Sequence, residues 1–150
     1  MRRLFSKMVV MAGVFCFGMI CCGNAHAQGS CEEVLKRAIV MIAGLEGEDA
    51  QIRTVTIDDI ASDQVCSNTM ELERGEKYMI IGIGDDVRIQ DLDLYVYDGN
   101  GNEVGRDNDN TNVAIVTVSP RWTGRFSFKV DGYEMSHTKA FYALIIAKLP

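Results

Sequence analysis

Acidic side chains crowd one short stretch of the chain, DLDLYVYDGNGNEVGRDNDN, which covers residues 91–110. Carboxylates at this density could bind calcium, act as a general acid and base, or hydrogen-bond the backbone of turns. Two pairs stand out, Asp91 with Asp93 and Asp107 with Asp109. The elements that carry these pairs decide which chemistry is available, because a site needs side chains held in fixed positions.

The spacing of the acidic and amide residues in this stretch excludes an EF-hand. A loop that begins at Asp98 places Asn100 and Asn102 correctly, but Glu103 stands where a glycine is required and Asp109 where a bidentate glutamate is required. We therefore expect weak calcium binding outside EF-hand geometry, in the loop that begins at Asp107, with four candidate ligands: Asp91, Asp93, Asp107 and Asp109.

The alternative for the same stretch is turn chemistry. Asp and Asn at the ends of loops commonly accept hydrogen bonds from their own backbone, and the Asn100-Gly101 pair is a strong hairpin signal because both residues tolerate a positive φ. The sequence leaves calcium and turn chemistry both open.

Catalysis has little support in the sequence. A hydrolase built on Asp91, Asp93 and Asp107 would need one carboxyl group in an apolar pocket beside a substrate cleft, with the two pKa values pushed apart. His137 is the one histidine that follows residue 27, and the chain contains no GxSxG elbow, HExxH pair or phosphate-binding loop. We predict that the protein is not an enzyme and keep the carboxylate hydrolase as the alternative.

Three aromatic residues are candidates for ligand binding. Tyr95 and Tyr97 alternate with apolar residues and share the aspartate face of their predicted strand, while Trp122 lies in the turn segment SPRWTGRF. The tyrosines could instead belong to a second core layer, and Trp122 could cover a turn or fill the core.

The first 27 residues resemble a secretory signal. They combine a positive start, an uncharged apolar run and the small-x-small motif Ala25-His26-Ala27, so we expect cleavage before Gln28. The 15-residue apolar run is shorter than the roughly 20 residues that span a bilayer. Lipidation of Cys21 or Cys22 is a minor alternative, and the arginine pair leaves Sec and twin-arginine export both open. The predicted location is the bacterial periplasm or the exterior.

Charge excludes two classes of partner. The full chain carries −6, and removal of the three cations Arg2, Arg3 and Lys7 leaves −9 for residues 28–150. Such an acidic protein repels nucleic acids and anionic lipid surfaces. We therefore expect an extracytoplasmic protein or polysaccharide as partner, no nucleic acid, and no membrane span after signal cleavage.

Two cysteines, Cys31 and Cys66, remain after the signal. Neither belongs to a CxxC motif, and the predicted compartment oxidises thiols. We therefore predict a Cys31–Cys66 disulfide that ties an N-terminal helix to the first strands, with a stabilisation of about 3–4 kcal/mol in the chain-entropy model.

Periodicity predicts one helix and then strands. Ser30 and Glu33 form a capping box before a helix over 31–43, which Gly44 can end. From residue 51 onward the apolar period is two, with turn residues about every ten positions, as in an antiparallel sandwich or barrel. The predicted organisation is a signal over 1–27, a helix and linker over 28–50, and one β domain over 51–150.

Residues 70–148 resemble the bacterial pre-peptidase C-terminal (PPC) domain. The segments that carry the resemblance are MELERGEKYMIIGIG, DLDLYVYDGNGNEVGRDND, AIVTVSPRWTGRFSFKV and AFYALIIAK. The resemblance implies a jelly-roll-like β-sandwich of the kind appended to secreted peptidases, where it is associated with secretion and, in collagenases, with calcium-assisted substrate binding. Here no peptidase accompanies the domain, so the expected function is a non-catalytic binding or accessory module for a protein, a polysaccharide or calcium.

Overall fold

A computed structural model of the protein describes residues 25–150, with side chains described from residue 31 onward. The predicted signal peptide therefore lies outside the described residues, except for its last three positions. One helix precedes eight strands: α1 (Ala25–Gly47), β1 (Gln51–Ala61), β2 (Val65–Leu72), β3 (Tyr78–Gly84), β4 (Ile89–Tyr97), β5 (Glu103–Asp107), β6 (Val113–Val118), β7 (Gly124–Met135) and β8 (Lys139–Lys148).

The strands form two four-stranded sheets, and every strand pairing is antiparallel. One sheet has the order β1-β8-β3-β6 and the other the order β2-β7-β4-β5. We call them the helix-covered sheet and the open sheet. Since the first strand pairs with the last and the second with the second-last, the connections are those of a jelly roll. The predicted mainly β sandwich with one preceding helix is confirmed.

The sandwich core lies between the two sheets. It contains aromatic residues from both of them, Tyr78 and Tyr142 from the helix-covered sheet and Phe126 and Phe128 from the open sheet, all at most 2% exposed. Alternating residues of β4, namely Leu92, Leu94 and Val96, point into this core. The intervening residues of β4, which include the two predicted site tyrosines, therefore point outward.

Helix α1 packs on the outer face of the helix-covered sheet. Val34 and Ala38 of the helix form a second apolar cluster with Ile81, Ile83 and Ile145 of that sheet. The helix begins at Ala25 and ends at Gly47, so it is longer than the predicted 31–43, and Ser30 is not its N-terminal residue. No helix within residues 25–150 combines the length and the apolar character needed to cross a bilayer.

A turn lies at Gly75, and the turn predicted at Asn100-Gly101 is present. Gly75 and Gly101 have φ of 83° and 82°, which residues with a side chain rarely adopt. Asp98 holds the second turn, because one of its carboxylate oxygens accepts hydrogen bonds from the backbone N–H groups of Asn100 and Asn102, at 2.8 and 2.9 Å. Turn chemistry is therefore confirmed for Asp98.

Leu144 in β8 tests where the sandwich gains its stability. This side chain is fully buried between the sheets, so Leu144→Ala should lower the free energy of unfolding by about 2–5 kcal/mol through lost burial and a residual cavity. Val55 is 40% exposed on β1, and Val55→Ala should cost less than about 1 kcal/mol. Urea denaturation of both variants measures the difference, and equal losses would contradict the assigned core.

Candidate functional site

The outer face of the open sheet carries most of the predicted site residues. No helix or strand of residues 25–150 covers this face, because α1 lies on the other sheet. Along β4 it presents Asp91, Asp93, Tyr95 and Tyr97 in order. The face thus changes from acidic to aromatic within one strand.

Strand β7 adds two more carboxylates to the acidic end of this face. In the register between β4 and β7, Asp91 lies opposite Glu134 and Asp93 lies opposite Asp131. Like charges placed directly opposite each other in a sheet are destabilising. We call these four residues the acidic cluster.

Two β-bulges shape the acidic cluster. Between its two pairs β7 contributes Gly132 and Tyr133 while β4 contributes one residue, and the register shifts again between Ile89 and Asp91. Gly132 faces inward, where an added Cβ would lie 2.5 Å from the sulfur of Met135, so a larger residue would displace that side chain. Bulges bend a strand and re-aim its side chains, and they are over-represented beside functional sites.

Asp91 is the most unusual residue of the acidic cluster. It is 5% exposed, and its Oδ1 atom is buried with no hydrogen-bond partner among the described residues. Burial raises the pKa of Asp91, and the charges of Asp93, Glu134, Asp107 and Asp109 raise it further. An ionised, unpaired carboxylate at this place costs free energy that its protonation or a bound cation would recover.

The neighbouring carboxylates have different surroundings. Asp93 is 4% exposed and accepts a hydrogen bond from the Tyr95 hydroxyl at 2.8 Å, and this bond is the main cause that raises the pKa of Tyr95 to about 12. Burial, and then the charge of Asp93, raise the pKa of Asp131. None of the ion pairs formed by the described residues includes a member of the acidic cluster.

Asp107 stabilises the β5–β6 loop. Its Oδ1 accepts a hydrogen bond from the N–H of Asp109 at 3.1 Å, and its Oδ2 accepts one from the N–H of Ile115 at 2.8 Å. The same loop reaches β4, because the carbonyl of Thr111 accepts a hydrogen bond from the N–H of Leu92 at 2.8 Å. Asp107 therefore performs turn chemistry, although its charge is near enough to act on Asp91.

The four predicted calcium ligands are therefore only partly brought together. Asp91 and Asp93 share the acidic cluster, whereas both oxygens of Asp107 already accept hydrogen bonds from backbone N–H groups. Within residues 25–150 no three Asp, Glu, His or Cys side chains are arranged as a ready metal site. The predicted four-aspartate site is not preformed.

A shallow depression lies at the aromatic end of the face. Its volume is about 440 Å³, and its lining combines aromatic, polar and charged side chains: Val65, Ser67, Tyr95, Tyr97, Lys129 and Asp131. The ammonium of Lys129 lies 4.8 Å from the centre of the Tyr97 ring, a cation–π contact. We call this feature the tyrosine depression.

Trp122 is separate from the tyrosine depression. Its ring stacks on Phe126, with ring centres 6.3 Å apart and planes 26° apart, and it remains 41% exposed. It lines a different cavity of about 460 Å³ together with Asp98 and Pro120. Trp122 therefore covers a core phenylalanine at a turn, and it does not line the tyrosine depression.

A larger cavity, of about 620 Å³, lies between α1 and the edge of the helix-covered sheet. Its apolar lining includes Val40, Met41, Ile83 and Val113, and it contains none of the predicted site residues. This cavity lies on the opposite sheet from the acidic cluster and contributes nothing to it.

The predicted disulfide is absent, and both cysteines are free thiols. Cys66 packs against the sandwich core, where its thiol lies 3.6 Å from the carbonyl oxygen of Asp59. Cys31 belongs to α1, on the outer side of the helix-covered sheet. That sheet lies between the two residues, and sequence separation gave no sign of it.

Residues 25–150 contain no complete triad for nucleophilic catalysis. The Ser136 hydroxyl lies 2.9 Å from Nδ1 of His137, an exposed pair that the sequence did not suggest beyond its adjacency. The same hydroxyl lies 3.1 Å from the carbonyl of Val87, and this contact ties two loops together. No described carboxylate hydrogen-bonds the His137 ring, so the orienting third member of a triad is missing within residues 25–150.

Sequence reasoning missed Asp131 and Glu134. Both lie beyond the alternating segment GRFSFKV, at the point where the bulge interrupts period two. Their one sequence signal was a run of polar residues around Gly132, which reads equally well as the end of a strand.

Asp91 predicts a pH dependence of stability. A carboxyl group whose pKa is raised by folding binds its proton more tightly in the folded state, so its stabilising contribution is present at low pH and is lost as pH rises through the raised pKa. In EDTA at pH 7, Asp91→Asn should therefore increase the free energy of unfolding by about 1 kcal/mol, the low end for an unpaired buried group.

The advantage of Asp91→Asn should shrink as pH falls toward 3.8, the ordinary aspartate value, because wild-type Asp91 then becomes protonated. Urea titrations of both proteins at several pH values measure the difference. A variant that is less stable than wild type at pH 7, or an advantage that grows on acidification, would contradict this description of Asp91.

The free thiols give a second prediction. Alkylation of the unfolded, unreduced protein should add two groups by intact mass, one at each of Cys31 and Cys66. Cys31→Ser should change the free energy of unfolding by less than about 1 kcal/mol, whereas loss of a bond closing this loop would cost about 3–4 kcal/mol. Unmodified cysteines, together with a loss of about 3–4 kcal/mol in the free energy of unfolding, would show that the disulfide is formed.

Comparison with known proteins leaves the family open. No protein-family model matches the chain, and no curated protein matches it at a significant level. The PPC assignment therefore remains a resemblance carried by the quoted motifs.

Proposed function

We propose that the protein is a non-catalytic binding module of the bacterial periplasm or exterior, which holds an extracytoplasmic polysaccharide on the tyrosine depression. The observation that carries the proposal is the uncovered aromatic and polar surface formed by Tyr95, Tyr97 and Lys129. A protein ligand on the same surface is the alternative. The PPC resemblance supports an accessory role and says nothing of the ligand.

The chemistry of the depression suits a sugar polymer. Sugar rings offer apolar faces that stack on aromatic rings and hydroxyl groups that need hydrogen-bond partners. Tyr95 and Tyr97 are half-buried, so their rings are already positioned, and Ser67, Lys129 and Asp131 supply donors and acceptors around them. The tyrosine depression is open, so it suits a long ligand better than an enclosed cavity would.

The rigidity of the depression favours binding. Tyr95 is held through its hydroxyl by Asp93, and Tyr97 is held by the Lys129 contact, so little side-chain freedom is lost when a ligand docks. Strands β4 and β7, which carry these residues, lie in the middle of the open sheet. Binding groups on paired strands are more precisely placed than groups on loops.

The hydrolase alternative receives less support. Of its three carboxylates, Asp107 is engaged with backbone N–H groups, and Asp91 and Asp93 are buried and line none of the three cavities described above. A glycosidase needs two carboxyl groups on either side of a bond in a cleft. Turnover of a polysaccharide that is lost in Asp93→Asn would overturn the non-catalytic proposal.

A binding assay with tyrosine variants tests the proposal. Purified protein should be retained by at least one polymer among peptidoglycan, chitin, cellulose and bacterial exopolysaccharide in a co-sedimentation assay. Tyr95→Ala and Tyr97→Ala should each weaken that retention about tenfold or more, because each removes a stacking surface worth roughly 1.5 kcal/mol.

Tyr133→Ala is the matched control. Tyr133 belongs to the same β7 strand but is 73% exposed and does not line the depression, so this variant should bind as wild type does. Equal losses in all three variants, or no retention by any polymer, would contradict polysaccharide binding at this surface. A native protein captured in place of a polymer, with its capture weakened by Tyr95→Ala and Tyr97→Ala, would favour the protein ligand.

A further inference from the structure

The sandwich has four edge strands, β1 and β6 in the helix-covered sheet and β2 and β5 in the open sheet. An edge strand presents backbone N–H and C=O groups that no neighbouring strand pairs, so it is a template for pairing with another chain. Proteins obstruct such edges with charged side chains, bulges, short strands or covering groups. An edge without an obstruction is therefore a candidate interface.

Strand β1 is obstructed in two ways. The N–H of Asp59 donates a hydrogen bond to Oδ1 of Asp58 at 2.9 Å, and the carbonyl of Asp59 accepts one from the thiol of Cys66 at 3.6 Å. A bulge between Ile52 and Thr54 also interrupts the strand. Both backbone groups of Asp59 are thus occupied, and the bulge prevents a regular ladder along this edge.

Strands β5 and β6 are obstructed as well. In β6 the N–H of Ile115 donates to Oδ2 of Asp107 at 2.8 Å, so a side chain occupies this edge group. Strand β5 has only 5 residues, and its charged side chains are Glu103, Arg106 and Asp107. Short, charged edges of this kind do not accept a further strand readily.

Strand β2 carries none of these obstructions. Over its 8 residues it pairs with β7 in a continuous register without a bulge, and it contains no Pro, Gly, Lys or Arg. Its one charged residue is Glu71. Within the part of the chain that the structure describes, no side chain hydrogen-bonds a backbone group of β2. The outer edge of this strand is therefore open to a partner.

We propose that β2 pairs antiparallel with β2 of a second copy of this chain, on a two-fold axis that passes through Asn68. Two four-stranded open sheets would then form one continuous sheet. In this register Ser67 faces Thr69 of the second copy, and Val65 faces Glu71 of the second copy. Because a two-fold contact is isologous, each pair occurs twice.

The outer face of β2 is complementary to itself in this register. Ser67 and Thr69 are exposed hydroxyl residues, and cross-strand pairs of this type hydrogen-bond. The carboxylate of Glu71 faces an apolar residue and no second carboxylate. A shift of two residues would place Glu71 opposite Asp63, and like charges directly opposite each other are destabilising. A shift of one residue would turn the core-facing side chains outward.

The inner face of β2 also continues across the axis. Cys66 and Met70 are partly buried against the sandwich core, and each faces the other of the second copy. Asn68 donates one hydrogen bond to the Tyr142 hydroxyl at 3.4 Å, which leaves its Oδ1 and its second N–H for the same amide of the second copy. A second copy supplies this pattern on both faces, and this favours it over a foreign peptide.

The pairing would join two tyrosine depressions on one surface, a consequence that rests on the proposed function. Val65 and Ser67 line the depression and belong to β2, so both depressions lie beside the axis and open on the same face. Two linked sites hold a polymer more tightly than one. The pairing itself does not depend on a ligand. Failure of the polymer assay would leave it intact, and a monomeric protein could still bind polysaccharide at one depression.

Sedimentation equilibrium of the chain, as purified after export, tests the pairing. The weight-average mass should rise with protein concentration, from the mass of one chain toward twice that value. The mass of a single chain at every concentration up to about 1 mM would overturn the proposal, because association weaker than this supplies no specific dimer.

Two double variants at exposed positions of β2 test the register. Ser67→Lys/Thr69→Lys places like charges opposite each other twice, so it should weaken association about tenfold or more. Ser67→Lys/Thr69→Glu is the matched control, because it places opposite charges at the same positions and should associate at least as tightly as wild type. Association that is unchanged by the two lysines, or lost equally in both variants, would overturn the proposal.

Hydrogen exchange of the wild-type protein gives a measurement that needs no variant. Backbone amides within Val65–Leu72 should exchange more slowly at high than at low protein concentration, whereas those of β1 and β6 should not change. Slower exchange confined to β1, β6 or α1 would contradict this interface. Protection of β2 only when another native protein is added to a monomeric chain would also overturn the proposal, in favour of a foreign strand.

Discussion

Strand β8 buries both of its faces, and the arrangement of the whole molecule follows from that constraint. Tyr142, Leu144 and Ile146 pack into the sandwich core, while Ala143, Ile145 and Ala147 pack against helix α1. The apolar run AFYALIIAK has no polar alternation, so neither face of this strand can be left in water. The sandwich needs a cover on one side, and α1 provides it.

The opposite sheet has no such cover because its strands alternate. In β4 the core-facing residues are apolar and the outward residues are Asp91, Asp93, Tyr95 and Tyr97. A face of this composition tolerates water, and it can therefore carry polar and aromatic groups for a ligand. The continuous apolar run of β8 and the apolar–polar alternation of β4 thus already indicate which sheet is covered and which sheet has a face open to a ligand.

The sequence was sufficient to predict the strands and turns, because these depend on neighbouring residues in the chain. Alternation predicted the strands, and Asp98 and Gly101 predicted the turn between β4 and β5, since each acts through the conformation or hydrogen bonds of its immediate neighbours. The cysteine pairing depends on which side of a sheet each residue occupies, and the partner of Asp91 depends on a register that two bulges shift. Neither is encoded within a short window, so the disulfide was predicted wrongly and Glu134 was missed.

Three aspartates of one stretch show why residue type alone could not assign the site. Asp98 accepts hydrogen bonds from two backbone N–H groups and one side-chain amide, which lowers its pKa, and Asp107 accepts two from backbone N–H groups. Asp91 is as buried as Asp98, yet one of its oxygens has no hydrogen-bond partner among the described residues and its pKa is raised. The number of donors that reach a carboxylate, and not its burial, separates the two behaviours.

Charge is distributed unevenly along the outer face of the open sheet. Negative charge concentrates at the Asp91 end, and the cations Lys129 and Arg106 lie toward the tyrosine end, so the face carries a charge gradient along β4 and β7. Tyr95 lies at the boundary, with its hydroxyl on Asp93 and its ring on the depression. Asp93 belongs to the acidic cluster and also accepts the hydrogen bond that positions Tyr95. The two ends of the face are therefore coupled through one hydrogen bond of 2.8 Å.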